Sequence, residues 1–157
     1  MRGCDKFCTF CIVPFTRGRE RSRSLNSILG EVKDVIGQGF KEITLLGQNV
    51  NSYSYKNIQF HELLESIANL DGIERIRYTS PHPQDISDQL LNVMAKYENI
   101  SNYVHLPLQA GSNKILKRMN RTYSKEHFIK LAFKIKETLP SVGISTDIIV
   151  GFPGESE

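Results

Sequence analysis

No cysteine lies beyond Cys11 in this chain of 157 residues. The three cysteines present cannot all pair with one another, which argues against a secreted disulfide framework. No apolar run approaches the roughly 20 residues that cross a bilayer. Met1-Arg2-Gly3-Cys4 carries no apolar stretch of the signal-peptide kind. Low-complexity segments are missing, and so is any internal repeat beyond an alternation of strand and helix. There is no large charge imbalance either: 20 Lys+Arg against 17 Asp+Glu leave a net charge of +3. With 24% charged and 39% apolar residues, the composition is that of a soluble globular chain. The length suits one domain with a substantial core.

What is present is a regular alternation that starts after the first 24 residues. Ser24 and Asn26 both qualify as the cap of a helix with Ile28, Leu29, Val32, Val35 and Ile36 at helical spacing, ended by Gly37 and Gly39. Ile43-Thr44-Leu45-Leu46 reads as a buried strand closed by Gly47. Phe60, Leu63, Leu64, Ile67 and Ala68 form a second helical stripe. Ile73 to Thr79 is the next strand, followed by a helix capped by Ser87 with Leu90, Leu91, Met94 and Tyr97. Tyr103 to Leu108 is a strand broken at Pro107. A helical region starts near Ser112, and another runs from about Ser124 with Phe128, Leu131, Ala132, Ile135 and Leu139 to Pro140. Gly143 to Val150 is the last strand.

Strands and helices alternating about every 30 residues imply βαβ units and a parallel sheet, either open or curved into a barrel. Ligand-binding residues then belong in the loops after the strands. Those loops are polar and rich in Gly and Pro: Gly47-Gln48-Asn49, Ser80-Pro81-His82-Pro83, Gln109-Ala110-Gly111-Ser112 and Gly151-Phe152-Pro153-Gly154-Glu155. Each could equally be an ordinary turn. The absence of a strand before the cysteines, and of a helix after the last turn, reads as a piece of something longer.

Cys4, Cys8 and Cys11 form C-x3-C-x2-C. Thiolates are soft ligands for iron–sulfur clusters, zinc or copper(I). A structural zinc site needs a fourth ligand, and the nearest histidine in sequence is His61. A four-iron cluster held by three cysteines leaves one iron open, so the cluster is the favoured reading, ahead of zinc and of free thiols. Phe7 and Phe10 either shield such a cluster or are ordinary core residues. Arg17, Arg19, Arg21 and Arg23 are either a solvated, salt-bridged loop or a contact for a nucleic acid or a substrate. Lys114 to Lys136 holds eight Lys/Arg and one acid, Glu126, for which a solvated helix face is the favoured reading over nucleic-acid contact. His82 and His105, at strand ends, read as hydrogen-bonded structural histidines.

Arg2-Gly3-Cys4-Asp5-Lys6-Phe7-Cys8-Thr9-Phe10-Cys11-Ile12-Val13-Pro14-Phe15-Thr16-Arg17-Gly18-Arg19-Glu20 resembles the opening of the radical S-adenosylmethionine methylthiotransferase family. Leu45 to Asn51, Ile76 to Pro83, His105 to Ser112 and Asp147 to Glu155 are similar as well, so the resemblance runs over essentially the whole chain. Thr16-Arg17-Gly18-Arg19-Glu20 favours the branch acting on isopentenyl-adenosine in tRNA. The alternatives are another modified tRNA adenosine, a ribosomal protein side chain, or a zinc-stabilised RNA-binding module without chemistry.

The resemblance implies an α/β fold, a partial (β/α) barrel of the radical S-adenosylmethionine type with its first strand and last units missing. Residues 1–157 would then be an incomplete core domain. An N-terminal domain with a second, auxiliary iron–sulfur cluster and a C-terminal RNA-binding domain would lie outside it. Cys4, Cys8 and Cys11 would hold a [4Fe-4S] cluster, with no catalytic residue beyond the cluster. Gly47, Gln48, Asn49, Gln109, Ser112, Gly151 and Glu155 would contact S-adenosylmethionine. The implied partners are tRNA and an electron donor such as flavodoxin or ferredoxin, in the cytoplasm and without a membrane. A fragment lacking the second cluster is not expected to insert sulfur.

Overall fold

The structure is a computed structural model that describes residues 1–156. Its first helix, α1 (Val13–Arg17), follows the cysteines and carries Pro14 in its first turn, where a missing N–H costs nothing. Helix α2 (Leu25–Gly37) starts at Ser24, whose hydroxyl accepts the Ser27 N–H, so of the two candidate caps Ser24 is the one used. Strand β1 (Glu42–Leu45) leads into a 3-10 turn at Val50–Ser52 and a small antiparallel hairpin, β2 (Ser54–Tyr55) with β3 (Ile58–Gln59). Helix α3 (Phe60–Ala68) opens on a capping box between Gln59 and Glu62 and buries all five residues of its predicted stripe. Then come β4 (Arg75–Tyr78), a 3-10 turn at Pro83–Asp85, α4 (Asp88–Lys96) capped by Ser87, and β5 (Tyr103–His105). The chain continues through α5 (Asn113–Arg118), α6 (Lys125–Thr138) capped by Ser124, and β6 (Gly143–Ser145).

β1 and β4 pair in parallel, with Ile43 opposite Ile76 and Leu45 opposite Tyr78. β5 and β6 also pair in parallel, with Val104 opposite Ile144. A parallel bridge between Ile76 and Ile100 joins the two pairs. The four parallel strands therefore follow one another in chain order, each reached through helix, as in the wall of a β/α barrel.

The core lies between this wall and α2, α3, α4 and α6. Leu64, Ile67, Ile76, Leu90, Val104, Leu106 and Ile135 are fully buried there. Burying each such side chain stabilises the fold by about 1.5–3 kcal/mol, enough in sum to hold the loops at the strand ends. A second, smaller cluster of Ala110, Ile115, Leu116, Met119 and Tyr123 sits under α5.

Two expectations need correcting. Ile43 to Leu46 is not a continuously buried strand. Burial alternates along β1, and Leu46 is 69% exposed. Helices cover only one face, while Glu42 on the other face pairs with Arg75 and Arg77 of β4. The strands beginning at Tyr103 and Gly143 are also shorter than predicted. Pro107 has no N–H, and the Leu108 N–H goes to Thr146 Oγ1 rather than to a backbone carbonyl. Pairing resumes with one parallel bridge between Gln109 and Ile148.

Candidate metal and cofactor site

The cysteines lie on a loop that is closed on itself and then tied to the barrel. Arg2 and Arg21 exchange backbone hydrogen bonds at 3.0 and 2.8 Å, and the Cys4 N–H donates to Gly18 O at 3.2 Å. Gly3 has φ +77°, and a Cβ there would lie 2.2 Å from Arg19 O, so only glycine fits this crossing. Asp5 takes the Arg19 guanidinium at 2.8 Å, and its own N–H donates to Glu20 Oε1. The Cys11 N–H donates to Cys8 O at 3.0 Å, making a tight turn of the C-x2-C segment.

Contacts from Gly3, Lys6 and Thr9 and to Phe7 tie this loop to the rest of the chain, two at the strand ends and two at the end of α5. The Gly3 N–H donates to Gln48 Oε1 at 3.0 Å. Lys6 Nζ meets Asp85 at 2.8 Å. Thr9 donates through its N–H to Met119 O and through its hydroxyl to Arg118 O. Asn120 Nδ2 donates to Phe7 O at 2.9 Å, holding Phe7 at φ 49°. The loops after β1 and after β4 thus meet the cysteine loop, as the alternation of strands and helices predicts, and the turn between α5 and α6, which that alternation does not single out, meets it too.

All three thiols are free and half-buried. Burial pushes the Cys4 thiol up. Glu20 and the other two thiols add to the shift, and a backbone hydrogen bond from Lys6 opposes it. Among the described residues, no three Cys, His, Asp or Glu side chains stand close enough together to hold a single metal ion. Three soft thiolates on one loop are a donor set that fits an iron–sulfur cluster. Arg121 Nη1 donates to Cys8 Sγ at 3.3 Å. Phe7 and Phe10 are 46% and 41% exposed, so they rim this loop and are not core residues.

The predicted cofactor contacts fall into three groups. Asn49 is buried. Its Nδ2 donates to Ser52 Oγ and Asp85 Oδ2, while its Oδ1 has no hydrogen-bond partner. A dry, unpaired acceptor costs about 1–3 kcal/mol, so Asn49 suits a ligand that brings a donor. Gln48 braces Gly3, and Gly47 lies against Met1 and Val50, so both support the loop from within the chain. Gln109 has φ 72° and pairs through its backbone with the segment around Ile148, Ser112 is exposed at the start of α5, Gly151 has φ +71°, and Glu155 Oε2 accepts the Phe152 N–H.

Asp85, Ser52, Asn49 and Lys6 form one polar network beside the cysteine loop. Burial raises the Asp85 carboxyl, but hydrogen bonds from Lys6, Ser52 and Asn49 outweigh it and hold the group below the usual carboxylate range. A polar cleft of about 490 Å³ opens next to it, lined by Glu20, Asn51, His61 and Gln89 among others. Neither Lys6 nor Asp85 figured among the predicted site residues. His82 is buried, its N–H donates to Asn51 Oδ1, and its Nδ1 accepts the Gln84 N–H. Burial, then Arg121 and Lys6, lower it to about 3, so it is a neutral structural imidazole. Of the four loop arginines, all exposed, Arg19 pairs with Asp5 and Arg23 with Glu31, while Arg17 and Arg21 make no ion pair among the described residues.

The sequence profile described as the Radical SAM superfamily matches residues 1–157. The chain belongs to the Radical SAM superfamily. It is 54% identical over 158 residues to the tRNA-2-methylthio-N(6)-dimethylallyladenosine synthase of Thermoanaerobacter sp. (strain X514), covering 99% of this chain and 34% of that protein. The protein of the same name from Acetivibrio thermocellus is 57% identical over 161 residues, covering 100% of this chain and 33% of that one. The chain thus spans about a third of the length of the relatives it matches. Among solved structures, the radical S-adenosylmethionine methyltransferase TsrM from Kitasatospora setae, with cobalamin and a [4Fe-4S] cluster bound, superposes with TM-score 0.76 at 18% identity, over 99% of this chain and 31% of that one. The cobalamin-dependent S-adenosylmethionine radical enzyme OxsB gives 0.72 at 18% identity, over 94% and 22%. These likenesses establish the partial radical SAM α/β fold for this chain.

Proposed function

We propose that this chain is the radical-generating part of a tRNA methylthiotransferase acting on isopentenyl-adenosine beside the anticodon. The observation that carries the reading is the C-x3-C-x2-C loop, with all three thiols free and with ties to the loops after β1 and β4 and to the turn between α5 and α6. The names of relatives more than half identical along the whole chain supply the substrate.

Cys4, Cys8 and Cys11 hold the [4Fe-4S] cluster. When bound, the cluster and S-adenosylmethionine supply an electron and a cleavable sulfonium, and so a 5′-deoxyadenosyl radical. The protein's part is to place and shelter these groups. Asn49 Oδ1 accepts a hydrogen bond from the methionine ammonium, and its Nδ2, held by Asp85 and Ser52, fixes the amide. Gln48 and Gly47 set the height of the cysteine loop over β1. Gln109 and Ser112 face the ribose and carboxylate, and Gly151 and Glu155 shape the turn toward the adenine. Arg17 and Arg21 meet tRNA phosphates. An electron donor of the flavodoxin or ferredoxin kind feeds the site in the cytoplasm. On this reading an auxiliary cluster and an RNA-binding domain would belong to the full-length protein, outside the third of the relatives' length that this chain matches.

The test is nucleoside mass spectrometry of tRNA incubated with the full-length protein, S-adenosylmethionine and reductant. The expected product is the 2-methylthio form of isopentenyl-adenosine, absent with Cys8→Ala. Methylthiolation of a different adenosine, or of a ribosomal protein alone, contradicts the substrate assignment.

A further inference from the structure

Arg121 lies in the turn between α5 and α6, remote in sequence from the cysteines, and four of the five N–H groups of its guanidinium have partners. Nε and Nη2 donate to Tyr123 Oη at 2.8 and 2.6 Å, and Nη2 also donates to Pro107 O at 3.2 Å. The guanidinium carbon sits 4.9 Å from the centre of the Tyr123 ring. Tyr123 is itself buried in the cluster under α5, and its hydroxyl donates to the Pro107 and Leu108 carbonyls. A long, flexible side chain is thereby fixed in one pose, with Nη1 directed at Cys8 Sγ, 3.3 Å away. Surface arginines are not held by a buried tyrosine and a strand-end carbonyl. This one is half-buried, and one of its two remaining N–H groups reaches a sulfur.

We infer that Arg121 tunes the cluster held by Cys4, Cys8 and Cys11, through an N–H···S hydrogen bond and a fixed positive charge at Cys8. The inference rests on the cluster reading above. Hydrogen bonds to ligand sulfurs and nearby positive charge stabilise the form with one more electron, and so raise the reduction potential. The step concerned is the uptake of one electron by the oxidised cluster from a chemical reductant such as dithionite. No bond in the protein forms or breaks, and Arg121 keeps its proton throughout. Tyr123 acts through Arg121, as a positioning residue.

The experiment is a redox titration of the cluster-loaded protein without S-adenosylmethionine, following the iron–sulfur signal that Cys4→Ala abolishes. It is paired with resonance Raman spectra of the terminal Fe–S stretching region. The expected order of midpoint potential is wild type highest, Arg121→Lys intermediate and Arg121→Gln lowest, with Fe–S stretches moving to higher frequency as the hydrogen bond is lost. Tyr123→Phe, which keeps the ring in the core but frees the guanidinium, is expected to shift the potential in the same direction by less. A wild-type protein that takes up no iron or sulfide overturns the cluster reading itself. Variants that load normally with unchanged potential and unchanged Fe–S stretches overturn the role of Arg121 alone. Because S-adenosylmethionine is absent from the titration, an arginine that served only to bind it would leave both readouts unmoved. If Arg121→Gln fails to load, Arg121→Lys and Tyr123→Phe decide the question by the same two readouts.

Discussion

Lys6, between Cys4 and Cys8, places its ammonium 2.8 Å from Asp85 in the turn after β4, and both side chains are only 20% exposed. The pair joins the cysteine loop to the barrel wall. Asp85 is also the acceptor for Asn49 and Ser52, so one carboxylate organises two loops. Asp85→Ala leaves a sheltered ammonium and two donors without their partner. We expect a loss of about 1–3 kcal/mol in urea unfolding of the metal-free protein, together with lower iron content after reconstitution. Asp85→Asn retains an acceptor and is expected to lose less. Wild-type stability and loading in Asp85→Ala would falsify this role.

Stability is expected to fall with acid through His82. Its native value of about 3 lies below the ordinary 6.5, so between these two values the unfolded chain binds the extra proton and the native one does not. The His82 contribution is complete above pH 6.5 and declines as pH falls toward 3. From pH 7.5 to 5 this amounts to about 2 kcal/mol. His82→Asn offers the Gln84 N–H an acceptor without a titrating ring. The difference between wild-type and variant unfolding curves is therefore expected to carry this slope. A pH-independent difference contradicts it.

Glycine is required at two loop positions for different reasons, close approach at Gly3 and backbone conformation alone at Gly18. Both Gly3 and Gly18 have positive φ, but a Cβ on Gly3 strikes the Arg19 and Gly18 carbonyls, whereas one on Gly18 meets open space. Gly18→Ala is expected to cost about 1–3 kcal/mol of stability through backbone strain and, with no atom in its way, to load more iron than Gly3→Ala. Gly3→Ala must move the backbone next to Cys4, and a severalfold loss of iron per chain is expected. Equal loading in both variants counts against the loop geometry described here.

The helices were legible in the sequence because stripe and cap coincide. Phe60, Leu63, Leu64 and Ile67 are all buried, and Ser24, Ser87 and Ser124 all cap. Helix α1 was not, since Val13-Pro14-Phe15-Thr16-Arg17 lacks an apolar stripe and is held by the closed loop around it. The β2–β3 hairpin was missed because Lys56, at φ 46°, turns the chain without a glycine. The cysteine motif is local and was readable outright. Lys6–Asp85 and Arg121–Cys8 were not, because their partners stand 79 and 113 residues apart and no local pattern marks them. The loop arginines looked equivalent in sequence, and only the ion pairs of Arg19 and Arg23 distinguish them.

That distinction predicts unequal effects on tRNA binding. Each phosphate contact removed is expected to reduce the slope of log affinity against log salt by about 1. Arg17→Ala and Arg21→Ala should each do so, whereas Arg23→Ala, already paired with Glu31, should change the slope little. Filter binding of the full-length protein over a salt series gives the slopes. An unchanged slope in the double variant of Arg17 and Arg21 removes these residues from the interface.

The central claim is that Cys4, Cys8 and Cys11 hold a cluster that delivers an electron to S-adenosylmethionine. The direct measurement is chromatographic quantification of 5′-deoxyadenosine and methionine formed by the anaerobically reconstituted, dithionite-reduced protein. Formation of the two in equal amounts, lost with Cys8→Ala, is the predicted result. Stoichiometric zinc without sulfide, and no cleavage in the reconstituted wild type, would contradict it.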